Sequence, residues 1–80
     1  MPLAFILINT VIGKEDEVIS ALIEIPNVLE VKILYGAYDL IVKVQEESMH
    51  ALKELITSKI RNVSDINTTL TMIVLEESTK

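Results

Sequence analysis

Residues Leu3-Ala4-Phe5-Ile6-Leu7-Ile8 form an unbroken apolar run of strand-forming residues, and this run restricts the fold more than any other stretch. Side chains of a strand alternate between two faces. Leu3, Phe5 and Leu7 therefore lie on one side, and Ala4, Ile6 and Ile8 on the other. Both sides are apolar. The segment before the C-terminus repeats the pattern, with Leu70, Met72 and Val74 on one face and Ile73 and Leu75 on the other. A sheet built on such strands must be covered twice, and an 80-residue chain holds only enough helix for one cover. The helix-free face would then show an apolar patch larger than a monomer normally exposes. The expected solution is a second copy packed on that same face, a two-fold dimer. The alternative is a monomer with one greasy face.

The other elements follow from periodicity and punctuation. The first strand ends near Ile12-Gly13. Glu15, Asp16 and Glu17 suit the first turn of a helix, where carboxylates face the positive end of the peptide dipoles. Val18, Ile19, Leu22 and Ile25 then recur at helical spacing, until Pro26-Asn27 stops the helix. A second strand is predicted from Val28 to Leu34, a turn over Tyr35-Gly36-Ala37-Tyr38, and a third strand from Asp39 to Gln45. The short glycine-containing link makes an antiparallel hairpin. Glu46-Glu47-Ser48 opens a second helix with Met49, Leu52, Leu55, Ile56 and Ile60 on one stripe. Arg61 to Asp65 is a connection, Ile66 to Leu75 the last strand, and Glu76 to Lys80 a frayed tail. The order is βαββαβ within one domain, residues 1–80. With right-handed crossovers this is an α+β, ferredoxin-like fold: a four-stranded antiparallel sheet with two helices on one face, dimerising through the other.

Composition removes several classes of function. There is no Cys, so disulfides, thiolate metal sites and Cys nucleophiles are excluded. Twelve acidic residues against seven basic ones give a net charge of −5, and the basic residues are scattered. No stripe of them could neutralise a run of phosphates, so no direct nucleic-acid partner is expected. The N-terminus lacks the marks of a signal peptide, and the apolar run is far shorter than the ~20 residues of a membrane span. A soluble, cytoplasmic protein with no membrane partner is the expectation. The two glycines cannot assemble a phosphate-cradling loop, and no cofactor is expected.

Chemistry-bearing residues are few. His50, the sole histidine, falls well away from the apolar stripe of its helix and reads as a solvated surface residue. No HxH or HxxxH spacing accompanies it, so neither a catalytic nor a metal-binding role is assigned. Two local features are less ordinary. In Gly36-Ala37-Tyr38-Asp39, a carboxylate enters the apolar strand Leu40-Ile41-Val42. It either caps backbone N–H groups of the turn or pairs with an ammonium group. In Asn67-Thr68-Thr69-Leu70-Thr71, the threonines either express β-propensity alone or offer hydroxyls to the charged end of a small ligand.

Together these features resemble the C-terminal effector domain, or RAM domain, of the Lrp/AsnC family of transcriptional regulators. Ile25-Pro26-Asn27-Val28 is similar to the segment before that domain's second strand. Gly36-Ala37-Tyr38-Asp39-Leu40 resembles the family's G-x-Y-D signature, and Ile66 to Leu75 its closing V-x-x-T-x-T-x-I-V-L strand. The resemblance covers nearly the whole chain and shows no helix-turn-helix segment, which implies a stand-alone effector domain. Where many relatives have Gly before the closing strand, this chain has Asp65.

The resemblance implies homodimers joined through their sheets, rings of dimers (commonly octamers), and small amino acids bound between dimers. Carried over by position, ligand contacts fall on Tyr35, Gly36, Tyr38, Asp39, Thr69 and Thr71. Asp39 would meet the ligand ammonium, while Thr69, Thr71 and backbone N–H groups would hold its carboxylate. The side-chain pocket would be apolar. The function implied is an amino-acid sensor acting through its own assembly or by joining full-length Lrp/AsnC regulators. A small dimeric enzyme of the isomerase or oxygenase type and a purely structural oligomerisation module are the competing readings. The first of these lacks an assembled acid–base constellation, so the chain is read as a non-enzyme.

Overall fold

The computed structural model describes residues 1–80. Its elements are β1 (Leu3–Thr10), α1 (Glu15–Ile23), β2 (Val28–Ile33), β3 (Leu40–Gln45), α2 (Met49–Leu55, extended by a π-helical turn over Ile56–Ile60) and β4 (Ile66–Ile73). The four strands form one sheet in the order β2-β3-β1-β4, and every neighbouring pair is antiparallel. This is the expected ferredoxin-like arrangement. The apolar run of β1 takes a central place, hydrogen-bonded on both sides.

The helices start for recognisable reasons. Gly13 adopts φ +84°, a left-handed value that glycine reaches at no steric cost, and so turns the chain out of β1. Glu15, Asp16 and Glu17 then fill the first turn of α1, where their charge favours the exposed N–H groups. At α2 the Ser48 hydroxyl accepts a hydrogen bond from Ala51 N at 3.1 Å, capping one of those N–H groups directly.

Both helices pack on the same face of the sheet. Ala4, Ile6 and Ile8 of β1 and Leu40, Val42 and Val44 of β3 are fully buried there, under Val18 and Leu22 of α1 and Leu52, Leu55, Ile56 and Ile60 of the α2 segment. Nearly all the core is aliphatic, as the scarcity of aromatic residues requires.

Three boundaries differ from expectation. The α2 stripe reads as one regular helix, yet its last turn is π-helical: Arg61 N donates to Ile56 O, five residues back, at 3.0 Å. The Thr57 hydroxyl donates to Lys53 O at 2.9 Å, a back-bond that loosens the regular ladder. The wider turn still carries Ile60 into the core. Asp39 precedes β3 rather than opening it, because its backbone N donates to Ile8 O at 3.0 Å while its O accepts from Leu34 N at 2.8 Å. Finally, β4 ends at Ile73, although Val74 N still donates to Leu3 O at 2.9 Å.

The register fixes what the helix-free face carries. Leu7 is opposite Ile41 and Leu70, and Phe5 is opposite Lys43 and Met72. Lys32 lies across from Ile41, and Glu30 from Lys43. The face is thus divided. Its β1–β4 half presents Phe5, Leu7, Leu70 and Met72, of which Leu70 and Met72 keep 45% and 43% exposure. Its β2–β3 half presents Glu30, Lys32, Lys43 and Gln45 beside Ile41. The apolar patch is present but one-sided, a division hidden until the strands are aligned.

Candidate functional site: one end of the sheet

The hairpin tip and the start of β4 lie at the same end of the sheet, flanking the C-terminal half of β1. The tip runs from Leu34 to Asp39. Tyr35 is fully exposed at its apex, Gly36 adopts φ +159°, and Tyr38 and Asp39 are half-buried. Asp39 is tied down. Its Oδ2 accepts from Thr10 N at 3.0 Å and lies 3.5 Å from the Thr10 hydroxyl. Thr10 is the one buried polar residue of the chain, so this carboxylate satisfies a backbone N–H that has little access to water. Of the two jobs open to Asp39, the capping one is thereby visible.

On the other side of β1, Arg61, Ile66, Asn67, Thr68 and Thr69 line a recess of about 370 Å³. That size falls within the roughly 300–1,000 Å³ of small-molecule sites. Donors dominate its wall. Thr68 Oγ1 accepts from Asn9 Nδ2 at 3.4 Å, which leaves its own proton free to point outward. One N–H of Asn67 is committed to Thr10 O at 3.4 Å. The Arg61 guanidinium has no carboxylate partner; the two ion pairs of the chain are Lys14–Glu17 at 4.0 Å and Lys32–Glu30 at 3.6 Å.

The six residues singled out in the sequence are therefore divided by the fold. Tyr35, Gly36, Tyr38 and Asp39 share the tip. Thr69 lies in the recess. Thr71 is exposed two residues further along β4, opposite Ile6, and does not line the recess. Ile8 pairs with Leu40 on one side and Thr69 on the other. Tip and recess are thus about two strand spacings, roughly 9–10 Å, apart within one protomer. Sequence reasoning missed Arg61, which reads as one more solvated charge in a connection. Its signal was that it is the sole arginine, five residues before a polar Asn-Thr-Thr run. His50 is exposed on α2, and no group of three or more His, Asp and Glu side chains converges anywhere in the chain. No helix is long and apolar enough to cross a membrane.

A four-stranded antiparallel sheet carrying two helices on one face, with a small polar recess at one sheet end, defines a ferredoxin-like domain of the regulatory, ligand-binding kind. Residues 3–80 match the Lrp/AsnC ligand binding domain, and the chain belongs to that family. It is similar to the HTH-type transcriptional regulator FL11 of Pyrococcus furiosus, with 36% identity over 74 residues. That match takes in 92% of this chain and 48% of the regulator, so the chain spans about half the length of the curated relatives it matches. Among solved structures it is similar to FFRP-DM1, with 47% identity and a TM-score of 0.89 over 94% of this chain and 100% of the other. It is also similar to AsnC of E. coli, with 26% identity and a TM-score of 0.91 over 99% of this chain and 54% of the other.

Proposed function

We propose that this chain is an oligomeric amino-acid-sensing domain. In this reading it dimerises through the helix-free face, assembles further into rings of the octamer kind, binds small amino acids between dimers, and thereby modulates cytoplasmic transcription regulators of the Lrp/AsnC family. The observation that carries the proposal is the donor-lined recess at the start of β4, in a domain whose family is defined by ligand binding. The separation of tip and recess supports a site between copies. One zwitterion needs a partner for its ammonium and partners for its carboxylate at short range, and a single protomer holds these groups apart. The tip of one copy set against the recess of another would complete the set, with Tyr35, Gly36, Tyr38 and Asp39 from the first and Thr69 from the second. Thr71, outside the recess, takes a lesser part.

Asp39 can serve both roles. Oδ2 holds Thr10, while a carboxylate has a second oxygen with lone pairs to offer an ammonium. The capping contact itself favours one other reading, a purely structural oligomerisation module in which the tip is rigid and binds nothing. Thermal unfolding in the presence of each of the twenty amino acids separates the two. A ligand of the folded assembly raises the midpoint with concentration, as mass action requires. The sensor reading predicts a dose-dependent rise for a small subset of amino acids; a flat response across all twenty supports the structural module.

A further inference from the structure

We infer that Arg61 makes this sensor selective for dicarboxylic amino acids, those whose side chain carries a second carboxylate. The inference rests on the amino-acid-binding reading and specifies the ligand class. It also departs from the apolar side-chain pocket expected from the sequence.

The wall of the recess is the starting point. Of its five residues only Ile66 is apolar. The others present a guanidinium with five N–H groups and two threonine hydroxyls, one of which already has its acceptor side filled by Asn9. A branched aliphatic side chain placed there would shield these donors from water and leave them without acceptors, which is the expensive arrangement for polar groups. One carboxylate does not exhaust them. A guanidinium takes a carboxylate in a two-pronged fork, and the Thr68 and Thr69 hydroxyls remain for a second.

Charge leads to the same ligand class. A zwitterion with a neutral side chain brings no net charge, so covering the recess with a second copy would bury the Arg61 cation without a counter-ion. An acidic amino acid brings net −1 and neutralises it. No carboxylate of the chain already does so. The π-helical turn holds the group in place: Arg61 N is bonded to Ile56 O at 3.0 Å, so the residue leaves the helix directly beside the start of β4.

The test compares each acid with its own amide, because aspartate and asparagine, or glutamate and glutamine, differ in the side-chain charge and little else. Calorimetry on the assembled protein should show one acid binding about tenfold or more tighter than its amide, the ratio a charge-assisted hydrogen bond supplies. In Arg61→Gln, with sedimentation and circular dichroism unchanged, acid and amide should bind within about twofold of each other, and Arg61→Lys should recover part of the ratio. Equal binding of acid and amide to the unmodified protein, or tightest binding of leucine or isoleucine with no response to Arg61→Gln, overturns the selectivity and leaves amino-acid sensing intact. Arg61-dependent binding of succinate with no amino acid bound would uphold the role of Arg61 and overturn the amino-acid reading. Absence of binding by all these compounds overturns both.

Discussion

The carboxylate of Asp39 reaches across 29 residues of sequence to accept the backbone N–H of Thr10 at 3.0 Å. It thereby fastens the hairpin tip to the end of the central strand. Removing that acceptor leaves a buried N–H unpaired. Asp39→Ala should therefore lower unfolding stability by about 1–3 kcal/mol, while Asp39→Asn, which keeps an oxygen in place, should lose less than about 1.5 kcal/mol. Urea titration measures both. In the sensor reading, Asp39→Asn should also weaken amino-acid affinity by roughly 1.5–3 kcal/mol, because the pairing with an ammonium loses its charge. Unchanged affinity with assembly intact would make Asp39 a cap and nothing more.

The one-sided helix-free face sets a second expectation. Leu70 and Leu7 are cross-strand neighbours in its apolar half. Leu70→Lys would bury an unpaired ammonium at the proposed sheet-to-sheet contact, a penalty of several kcal/mol. Sedimentation should show an assembled species for the unmodified chain at micromolar concentration and a folded monomer for the variant. Lys43→Ala, in the charged half of the same face, should leave assembly in place. A stable monomer in the unmodified protein would remove this mode of pairing.

Asp65 adopts φ +69° immediately before β4, and its carbonyl accepts from Val11 N at 2.8 Å. That left-handed conformation is tolerated by Asp and resisted by β-branched residues. Asp65→Gly relieves the strain but gives the unfolded chain more freedom, so the two effects should cancel to within about 0.5 kcal/mol. Asp65→Val should lose about 1–2 kcal/mol. Guanidinium unfolding distinguishes them, and a Val variant as stable as the parent would contradict the reading of this turn.

Thr69 and Thr71 look equivalent in a T-x-T strand, and the fold makes them unequal. Thr69 lines the recess; Thr71 does not. Thr69→Val should weaken amino-acid binding by about 1 kcal/mol, the worth of one neutral hydrogen bond. Thr71→Val should leave it nearly unchanged. Calorimetry giving the reverse order would move the site along β4.

The architecture was legible because the apolar residues are placed with the right period. The run from Leu3 to Ile8 declared a strand buried on both faces, and β1 is the strand with neighbours on both sides and apolar residues on both faces. Pro26 marked the end of α1, and Gly36 the hairpin. Other features depended on partners remote in sequence. The Asp39–Thr10 contact joins two strands whose register no local pattern encodes. Glu30, Lys32 and Lys43 share a face with Phe5 and Leu7 only once the strands are aligned. The π-helical turn was invisible because Leu52, Ile56 and Ile60 keep four-residue spacing in either kind of helix. Arg61 acquires a setting only when β4 is laid beside it.

The rung Leu40–Ile8–Thr69 runs straight across the middle of the sheet. Hydrogen-bonded strands resist stretching along that direction, so the tip and the recess of one protomer behave as the two ends of a rigid gauge. A molecule gripped at both ends of such gauges, one from each neighbour, cannot adjust their length. It can only alter the angle at which neighbouring bodies meet. Information about ligand occupancy should accordingly travel through this protein as geometry between subunits, measurable as a change in ring curvature or subunit number, with the interior of each subunit left as it was.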